Sequence, residues 1–99
     1  MGRIHVRQTR VMIRRRVQVT GRVQGVFFRD SCRREAQARH LAGWVTNRAD
    51  GSVVAVFEGP AADVDALVAW CGRGPSSARV DAVEVTDEEA QGDSGFAIL

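Results

Sequence analysis

Several residue types are scarce or absent in this 99-residue chain, and each absence excludes a class of protein. The two cysteines, Cys32 and Cys71, are too few for a disulfide framework and are not spaced as metal ligands. His5 and His40 have no acidic or cysteine partners at ligand spacing, so neither a metal site nor another cofactor is predicted. No apolar run approaches the roughly 20 residues that cross a bilayer, so no membrane span is expected.

Lysine is absent as well, and all fourteen basic residues are arginines. Residues 1–34 hold ten arginines and one acidic residue, whereas residues 58–99 hold nine acidic residues and two arginines. This asymmetry has two explanations. One is a compositional bias with a solvated basic face, which is the default, and the other is a positive field that attracts an anionic substrate or nucleic acid.

The length and composition fit one small globular domain, with 44% hydrophobic and 26% charged residues. Residues 1–11 are basic and weakly patterned, so we predict a flexible N-terminal extension followed by a domain over residues 12–99. The N-terminal arginines are not followed by the apolar segment of a secretory signal. A cytoplasmic location is therefore the default, and we expect a monomer.

The hydrophobic pattern predicts the element order β-α-β-β-α-β and then a final strand. The predicted strands cover residues 14–20, 44–48, 53–58, 80–85 and 95–99, and the predicted helices cover residues 30–40 and 60–71. This order indicates an α+β fold, the ferredoxin-like split β-α-β sandwich, in which both helices pack on one face of an antiparallel sheet.

Helical spacing also selects the residues expected in the core. They are Phe28, Cys32 and Ala36 on the first helix and Val64, Leu67, Val68 and Cys71 on the second, together with Trp44 and Trp70. Both cysteines are thereby interpreted as small core residues rather than as catalytic thiols.

The strongest functional signal lies between Val17 and Arg29. Its first residues alternate as a strand does, and Gly21 and Gly25 follow, just before a predicted helix start. A glycine-bearing loop that leads into a helix N-terminus is a ready anion site, because loop amides and the helix end both offer partial positive charge. Arg29 adds a planar fork suited to a phosphate or carboxylate. The glycine spacing alone is a weak signal, since many ordinary turns share it.

The particular residues narrow this interpretation. Residues 21–29 read G-R-V-Q-G-V-F-F-R and closely resemble the signature loop of the acylphosphatase family, small enzymes that hydrolyse the carboxyl–phosphate anhydride of acyl phosphates. Residues 43–48, G-W-V-T-N-R, resemble the second signature block of that family, at the matching distance from Arg29 to Asn47. The resemblance runs from about residue 13 to residue 99 and departs from the family pattern at His40, where glycine is common.

The resemblance implies a role for each residue of the candidate site. The residues implied to bind the substrate phosphate are Arg29 and the loop residues Arg22, Val23, Gln24, Gly25 and Val26, which act through their amides. Asn47 is implied to position the attacking water. The leaving group is a carboxylate, so no strong general acid is required, and the family model has the substrate phosphate accept the proton. A small-molecule acyl phosphate as substrate, inorganic phosphate as product and no cofactor are implied.

Alternatives stay open at this point. Arg29 alone is explained equally well as a helix-start arginine paired with Asp30 or Glu35, and Asn47 as an ordinary residue near a hairpin. An RNA-binding or other ligand-binding module can use the same sandwich, although few stacking aromatics are present, and nucleic acid is not the expected partner. A domain of a larger carbamoyl-transfer protein of hydrogenase maturation is the other alternative, and the absence of CxxC pairs argues against it.

Overall fold

The structure, a computed structural model, describes residues 11–99, so that all but Val11 of the predicted N-terminal extension lies outside the described residues. The elements follow the predicted order: β1 (Met12–Arg22), α1 (Phe28–Ala38), β2 (Ala42–Asn47), β3 (Val53–Pro60), α2 (Ala61–Cys71), β4 (Arg79–Glu88) and β5 (Phe96–Ile98). Neither helix of this part of the chain has the length and apolar character needed to cross a membrane.

The strands form one sheet in the order β4-β1-β3-β2-β5. β1 pairs antiparallel with both β3 and β4, and β3 pairs antiparallel with β2. β5 lies parallel to β2, with Phe96 opposite Gly43, so the sheet is mixed rather than purely antiparallel. The parallel pairing arises because the connection from β4 runs along one end of the sheet and enters β5 at the end where β2 begins. The predicted ferredoxin-like fold is confirmed with this one difference.

The core lies between one face of the sheet and the two helices. Alternate strand residues point to that face, because successive side chains of a strand point to opposite sides. The strand residues that are fully buried there are Val17, Val19, Val45, Val53, Ala55 and Phe57. α1 contacts β2 and β5, whereas α2 contacts β1 and β3. Both helices therefore pack on the same face of the sheet, as predicted.

The predicted helix faces are confirmed. Phe28, Cys32 and Ala36 of α1 are buried, and so are Val64, Leu67, Trp70 and Cys71 of α2. Val68, which was also predicted for this face, is only partly buried and packs against the core. The rings of Phe28 and Trp70 meet at a centroid distance of 5.1 Å, which joins the two helices. A hydrogen bond with Cys71, together with burial, raises the pKa of the Cys32 thiol well above its usual range. The thiol therefore stays protonated, as expected of a core residue rather than a nucleophile.

The prediction that Trp44 is a core residue is wrong. Trp44 is half-buried on the face of the sheet that the helices leave open, beneath the guanidinium of Arg16, which lies 5.7 Å from its ring centroid. Because its neighbour Val45 faces the helices, the alternation of β2 turns Trp44 away from them.

At the end of α1, His40 adopts the left-handed conformation with φ 55°. The His40 N–H donates to the carbonyl of Gln37 at 3.1 Å, and the Leu41 N–H donates to that of Ala36 at 3.0 Å. These two bonds form a Schellman motif, which satisfies carbonyls that the helix leaves without partners. Histidine here takes the conformation for which glycine is the commonest residue.

β4 extends three residues beyond its predicted end at residue 85, because its acidic end pairs with arginines of β1. Arg14 lies opposite Glu88 and Arg15 opposite Asp87 in the strand register. The Nε of Arg14 donates to Glu88 at 2.9 Å, and the Nε of Arg15 donates to Asp87 at 3.1 Å. The predicted loop over residues 86–94 therefore begins only after Glu88.

A group of charges, the Arg14 cluster (Arg14, Glu58, Glu88 and Asp93), lies at this end of the sheet. Arg14 is 5% exposed and Glu58 is 4% exposed. The Nη1 of Arg14 lies 3.2 Å from Glu58 and 2.7 Å from Asp93. The carboxylate of Glu58 also accepts the backbone N–H groups of Gln91 at 2.7 Å and Asp93 at 3.0 Å. The cluster thereby fastens the connection between β4 and β5 to the sheet.

Candidate functional site

The end of the sheet opposite the Arg14 cluster brings the two signature stretches together. Val19 near the end of β1 and Asn47 at the end of β2 both lie opposite Val53, the first residue of β3. The loop after β1 and the first turn of α1 therefore stand beside Asn47. The fold thereby brings Arg29 and Asn47, which are 18 positions apart in sequence, to the same end of the sheet.

The loop exposes backbone donors. Among residues 11–99, none of the backbone N–H groups of residues 23–26 donates to a backbone carbonyl. Gly25 has φ 73°, and an added Cβ would have no atom within 4 Å, so glycine is favoured there by conformation and not by lack of space. Most backbone N–H groups in folded proteins are paired, and a run of unpaired ones is what an anion-binding loop offers.

The loop is held in place by contacts on both sides of Gly25. Val23 and Val26 are buried in the core, and the Ser77 hydroxyl donates to the carbonyl of Val26 at 2.8 Å. The side-chain amide of Gln24 donates to the carbonyl of Arg48 at 2.7 Å and to that of Ser52 at 2.9 Å. Gln24 thus ties the loop to the turn that immediately follows Asn47.

Arg29 lies half-buried in the first turn of α1. In the part of the chain that the structure describes, its guanidinium forms no ion pair, because the neighbouring carboxylate of Asp30 is engaged elsewhere. Asp30 accepts from Arg34 and, at 2.9 Å, from Arg33. The bond from Arg34 is the largest cause that lowers the pKa of the Asp30 carboxyl. The pairing of Arg29 with Asp30 or Glu35 is therefore not found, and the guanidinium can meet an external anion.

The start of α1 differs from the sequence prediction. The helix begins at Phe28, two residues before the predicted start at Asp30, and Asp30 lies in its first turn. The N-cap position is Phe27, which has φ 63° and makes no side-chain capping bond. The first N–H groups of the helix therefore receive no side-chain cap, which leaves the positive end of the helix open to an anion.

Asn47 carries an atom without a partner. Its side-chain Oδ1 is buried and accepts no hydrogen bond from the described residues. Buried polar atoms without partners are rare in native proteins and require an explanation. A side-chain amide both donates and accepts, so this one is able to hold a small polar molecule such as water.

These residues surround one cavity of about 330 Å³. Its polar wall is formed by Arg29, Asp30 and Asn47, and its apolar wall by Val23, Phe27, Phe28 and Ile98, with Gly25 beside them. Four of the predicted site residues thus line a common space: Val23, Gly25, Arg29 and Asn47. Arg22 is exposed at the end of β1, Val26 is in the core, and Gln24 turns its side chain to the neighbouring turn. None of these three lines the cavity.

The sequence prediction missed residues of the cavity wall and a contact that holds the loop beside it. Phe27 could have been found from the sequence. Helical spacing places Phe28 on the buried face with Cys32 and Ala36, so the adjacent Phe27 must point away from that face. Ile98 reaches the site only through the parallel pairing of β5 with β2, which the sequence does not indicate. The side-chain bonds of Gln24 likewise depend on which turn lies beside the loop.

The fold and the site together define a small α+β domain with one cavity at the start of its first helix. A guanidinium, a side-chain amide and the loop residues Val23 and Gly25 line this cavity. Within residues 11–99, no group of three or more His, Cys, Asp or Glu side chains could hold a metal ion.

Comparison with known proteins names the family. The family model described as Acylphosphatase matches residues 15–98. An acylphosphatase of Rubrobacter xylanophilus is 54% identical over 98 residues, which are 98% of this chain and 86% of that protein. The crystal structure of acylphosphatase from Bacillus subtilis superposes with a TM-score of 0.85 at 39% identity, over 88% of this chain and 98% of that one. The chain belongs to the acylphosphatase family, as its signature loop predicted.

A part of a larger protein also has this fold. The crystal structure of full-length HypF in the phosphate- and nucleotide-bound form matches with a TM-score of 0.82 at 25% identity. The match covers 93% of this chain but only 12% of that one. The chain is more similar in sequence to the Bacillus subtilis protein, nearly all of which it matches.

Proposed function

We propose that the protein hydrolyses the carboxyl–phosphate bond of acyl phosphates by direct attack of water, without a metal ion. The proposal takes its substrate class from the family, which acts on small acyl phosphates. Its mechanism rests on the residues around the cavity of 330 Å³. A cytoplasmic monomer remains the accompanying prediction.

The phosphate end of the substrate binds to Arg29 and the loop amides. A guanidinium offers two parallel donors that match phosphate oxygens, and hydrogen bonds of this charge-assisted kind are about twice as strong as neutral ones. Arg29 is supported as their source because it forms no ion pair within the described chain and lines the same cavity as Gly25. These donors offset the charge on the transferred phosphoryl group, which is the main requirement of phosphoryl transfer.

Asn47 holds the attacking water in line with the phosphorus. The water oxygen forms a bond to phosphorus, and the bond from phosphorus to the acyl oxygen breaks. The electron pair of that bond leaves with the carboxylate, and the proton of the water passes to a phosphate oxygen. The products are a carboxylate and inorganic phosphate. An asparagine is sufficient because it orients the water and is not required to remove its proton.

The observation that carries the proposal is the unpartnered Oδ1 of Asn47 beside Arg29. A buried acceptor without a partner is costly unless a ligand satisfies it during function. A water between this oxygen and a phosphate held by Arg29 has one partner on each side.

The activity is tested by comparing benzoyl phosphate with p-nitrophenyl phosphate, each with and without EDTA. We expect hydrolysis of benzoyl phosphate that EDTA leaves unchanged and little action on p-nitrophenyl phosphate, because the site offers no group to assist a poorer leaving group. Inorganic phosphate should compete with the substrate. Loss of activity with EDTA and its recovery with a divalent metal ion would contradict the mechanism.

The role of Asn47 is tested by Asn47→Ala. Turnover of benzoyl phosphate should fall about 10²- to 10³-fold, the usual cost of removing one group that acts in the transition state. The inhibition constant of inorganic phosphate should stay near the wild-type value, because Asn47 contacts the water rather than the phosphate. Near-normal turnover in a folded Asn47→Ala protein would refute the water-positioning role.

An RNA-binding function receives little support. RNA-binding sheets stack bases on exposed aromatic side chains. Phe57 lies in the core, and Trp44 is the one aromatic of the described strands that faces the open side of the sheet, where it is half-buried beneath Arg16.

A further inference from the structure

Phe27 combines two features that are unfavourable in a folded protein. It is the most exposed large apolar side chain among residues 11–99, at 77%. Its backbone also adopts the left-handed conformation, with φ 63°, which residues other than glycine, asparagine and aspartate rarely take. Backbone strain of this kind persists where the surroundings impose it, and it is concentrated at functional sites.

The neighbours of Phe27 fix its position. Val26 is buried, and its carbonyl accepts the Ser77 hydroxyl, while Phe28 is 1% exposed and packs against Trp70. Both neighbours of Phe27 are therefore anchored in the core. The left-handed turn directs Phe27 outward, and it lines the cavity together with Arg29 and Asn47.

The cavity is larger than a phosphate and one water require. Its volume of about 330 Å³ is within the range of small-molecule pockets, whereas one water occupies roughly 30 Å³. Polar groups account for the phosphate and the water. The remaining wall, which includes Phe27 and Ile98, is apolar and matches a carbon skeleton.

In-line attack decides which apolar residue meets the acyl group. The water lies at Asn47, so the leaving acyl oxygen points away from Asn47. Ile98 belongs to the strand beside β2 and lies opposite Val45, near Asn47. Phe27 is the N-cap residue of α1, and it both lines the cavity and is 77% exposed, so it lies at the solvent-facing edge of the cavity.

We propose that Phe27 is the residue that recognises the acyl group and favours acyl phosphates with an aromatic or extended apolar acyl part. This inference rests on the proposed function, because it assumes that the phosphate end is held by Arg29 and the loop. The ring of Phe27 stacks on the acyl part and excludes water from one side of it.

The experiment compares benzoyl phosphate with acetyl phosphate in the wild type and in Phe27→Ala, Phe27→Trp and Val85→Ala. Phe27→Ala should lower kcat/KM for benzoyl phosphate roughly 3- to 10-fold, the worth of one aromatic contact. The values for acetyl phosphate and the inhibition constant of inorganic phosphate should stay the same within error. Phe27→Trp should retain the benzoyl preference. Val85→Ala, which shortens another exposed apolar side chain, on β4, should change neither substrate.

The outcomes separate this inference from the proposed function. If the wild type hydrolyses neither substrate, the proposed function fails. If the wild type hydrolyses both and Phe27→Ala keeps the same ratio of benzoyl to acetyl kcat/KM, Phe27 does not recognise the acyl group. Equal losses on both substrates, with weaker phosphate inhibition, would show that Phe27 only shapes the loop and would also refute the inference.

Discussion

Two adjacent charged residues in the first turn of α1, Arg29 and Asp30, have different partners. Asp30 is bound by two arginines of its own helix, Arg33 and Arg34, whereas Arg29 has no carboxylate partner in the described chain. The sequence alone did not show whether Arg29 forms an ion pair with Asp30, since the two residues are adjacent. The signature loop made Arg29 a candidate, and the geometry removed the alternative of a local ion pair within the described residues.

The single-residue test of phosphate binding is Arg29→Gln. The change removes charge-assisted hydrogen bonds that act on the bound substrate and on the transition state alike. We expect inorganic phosphate to inhibit about 10- to 100-fold more weakly, as the loss of a charged hydrogen bond predicts, and turnover to fall as well. Competition kinetics with benzoyl phosphate measure both quantities.

The matched control is Arg33→Gln on the same helix. Arg33 pairs with Asp30 and does not line the cavity, so phosphate inhibition should not change. Equal weakening in both variants would mean that general positive charge, rather than the Arg29 fork, attracts the phosphate.

At the scale of elements, the ends of β4 and α1 were the least predictable parts. An acidic run such as residues 87–89 is typical of a loop when it is considered alone. In the sheet, its first two residues lie opposite Arg15 and Arg14, and opposite charges across strands stabilise the pairing. Long-range pairs of this kind cannot be derived from local periodicity, whereas the existence and order of all seven elements could.

The same pairs explain part of the charge asymmetry. The arginines that begin β1 bind acids from β3, α2 and β4, so that opposite charges from the two halves of the sequence meet in the fold. Neither a solvated basic face nor a steering field accounts for Arg14, which is 5% exposed and in contact with three carboxylates.

The Arg14 cluster predicts a specific dependence of stability on pH. Burial opposes the ionisation of Glu58, but the backbone N–H groups of Gln91, Asp93 and Gly92 and the Arg14 side chain outweigh it and lower the Glu58 pKa below its ordinary 4.5. The unfolded chain therefore binds a proton at Glu58 at higher pH than the folded protein does. The stabilisation is complete above about pH 4.5 and decreases as the pH falls toward the folded pKa.

Glu58→Gln should remove this contribution. At pH 7 we expect the free energy of unfolding to fall by about 1–3 kcal/mol, since charged hydrogen bonds are lost from a buried site. The difference from the wild type should decrease as the pH is lowered from 5 to 3, as measured by urea unfolding at each pH. Glu89→Gln, the same change at an exposed position in the connection between β4 and β5, should have little effect. A Glu58→Gln difference that does not vary with pH would contradict the assignment.

At the scale of the whole molecule, the two charged regions lie at opposite ends of the sheet. Arg14 lies opposite Glu58, and Val19, at the level of Asn47, lies opposite Val53, so five residues of β1, roughly 17 Å, separate the two levels. Changes in the Arg14 cluster should therefore act on stability, and changes around Asn47 should act on catalysis. The topology that separates them was predicted from the element order, but the parallel placement of β5 was not.

β1 begins at Met12, at the end of the sheet opposite the cavity, and residues 1–10 precede it in sequence. Val11 is part of the described structure, and its carbonyl accepts the first N–H of α2, that of Ala61, at 3.0 Å. Removing residues 1–10 should leave turnover of benzoyl phosphate and the free energy of unfolding unchanged within error. Removing Val11 as well should cost about 0.5–1.5 kcal/mol, the net worth of one hydrogen bond, as measured by urea unfolding.

Deleting residues 1–10 also tests whether the N-terminal arginines attract the substrate. The deletion removes three arginines and changes the formal net charge from +2 to −1. If these charges steered an anionic substrate, kcat/KM would fall at low ionic strength, and the difference would disappear with added salt. We expect no such difference, because the strand that leads to the site begins at Met12, after these residues. A salt-dependent loss in the truncated protein would instead show that the extension contributes to substrate capture.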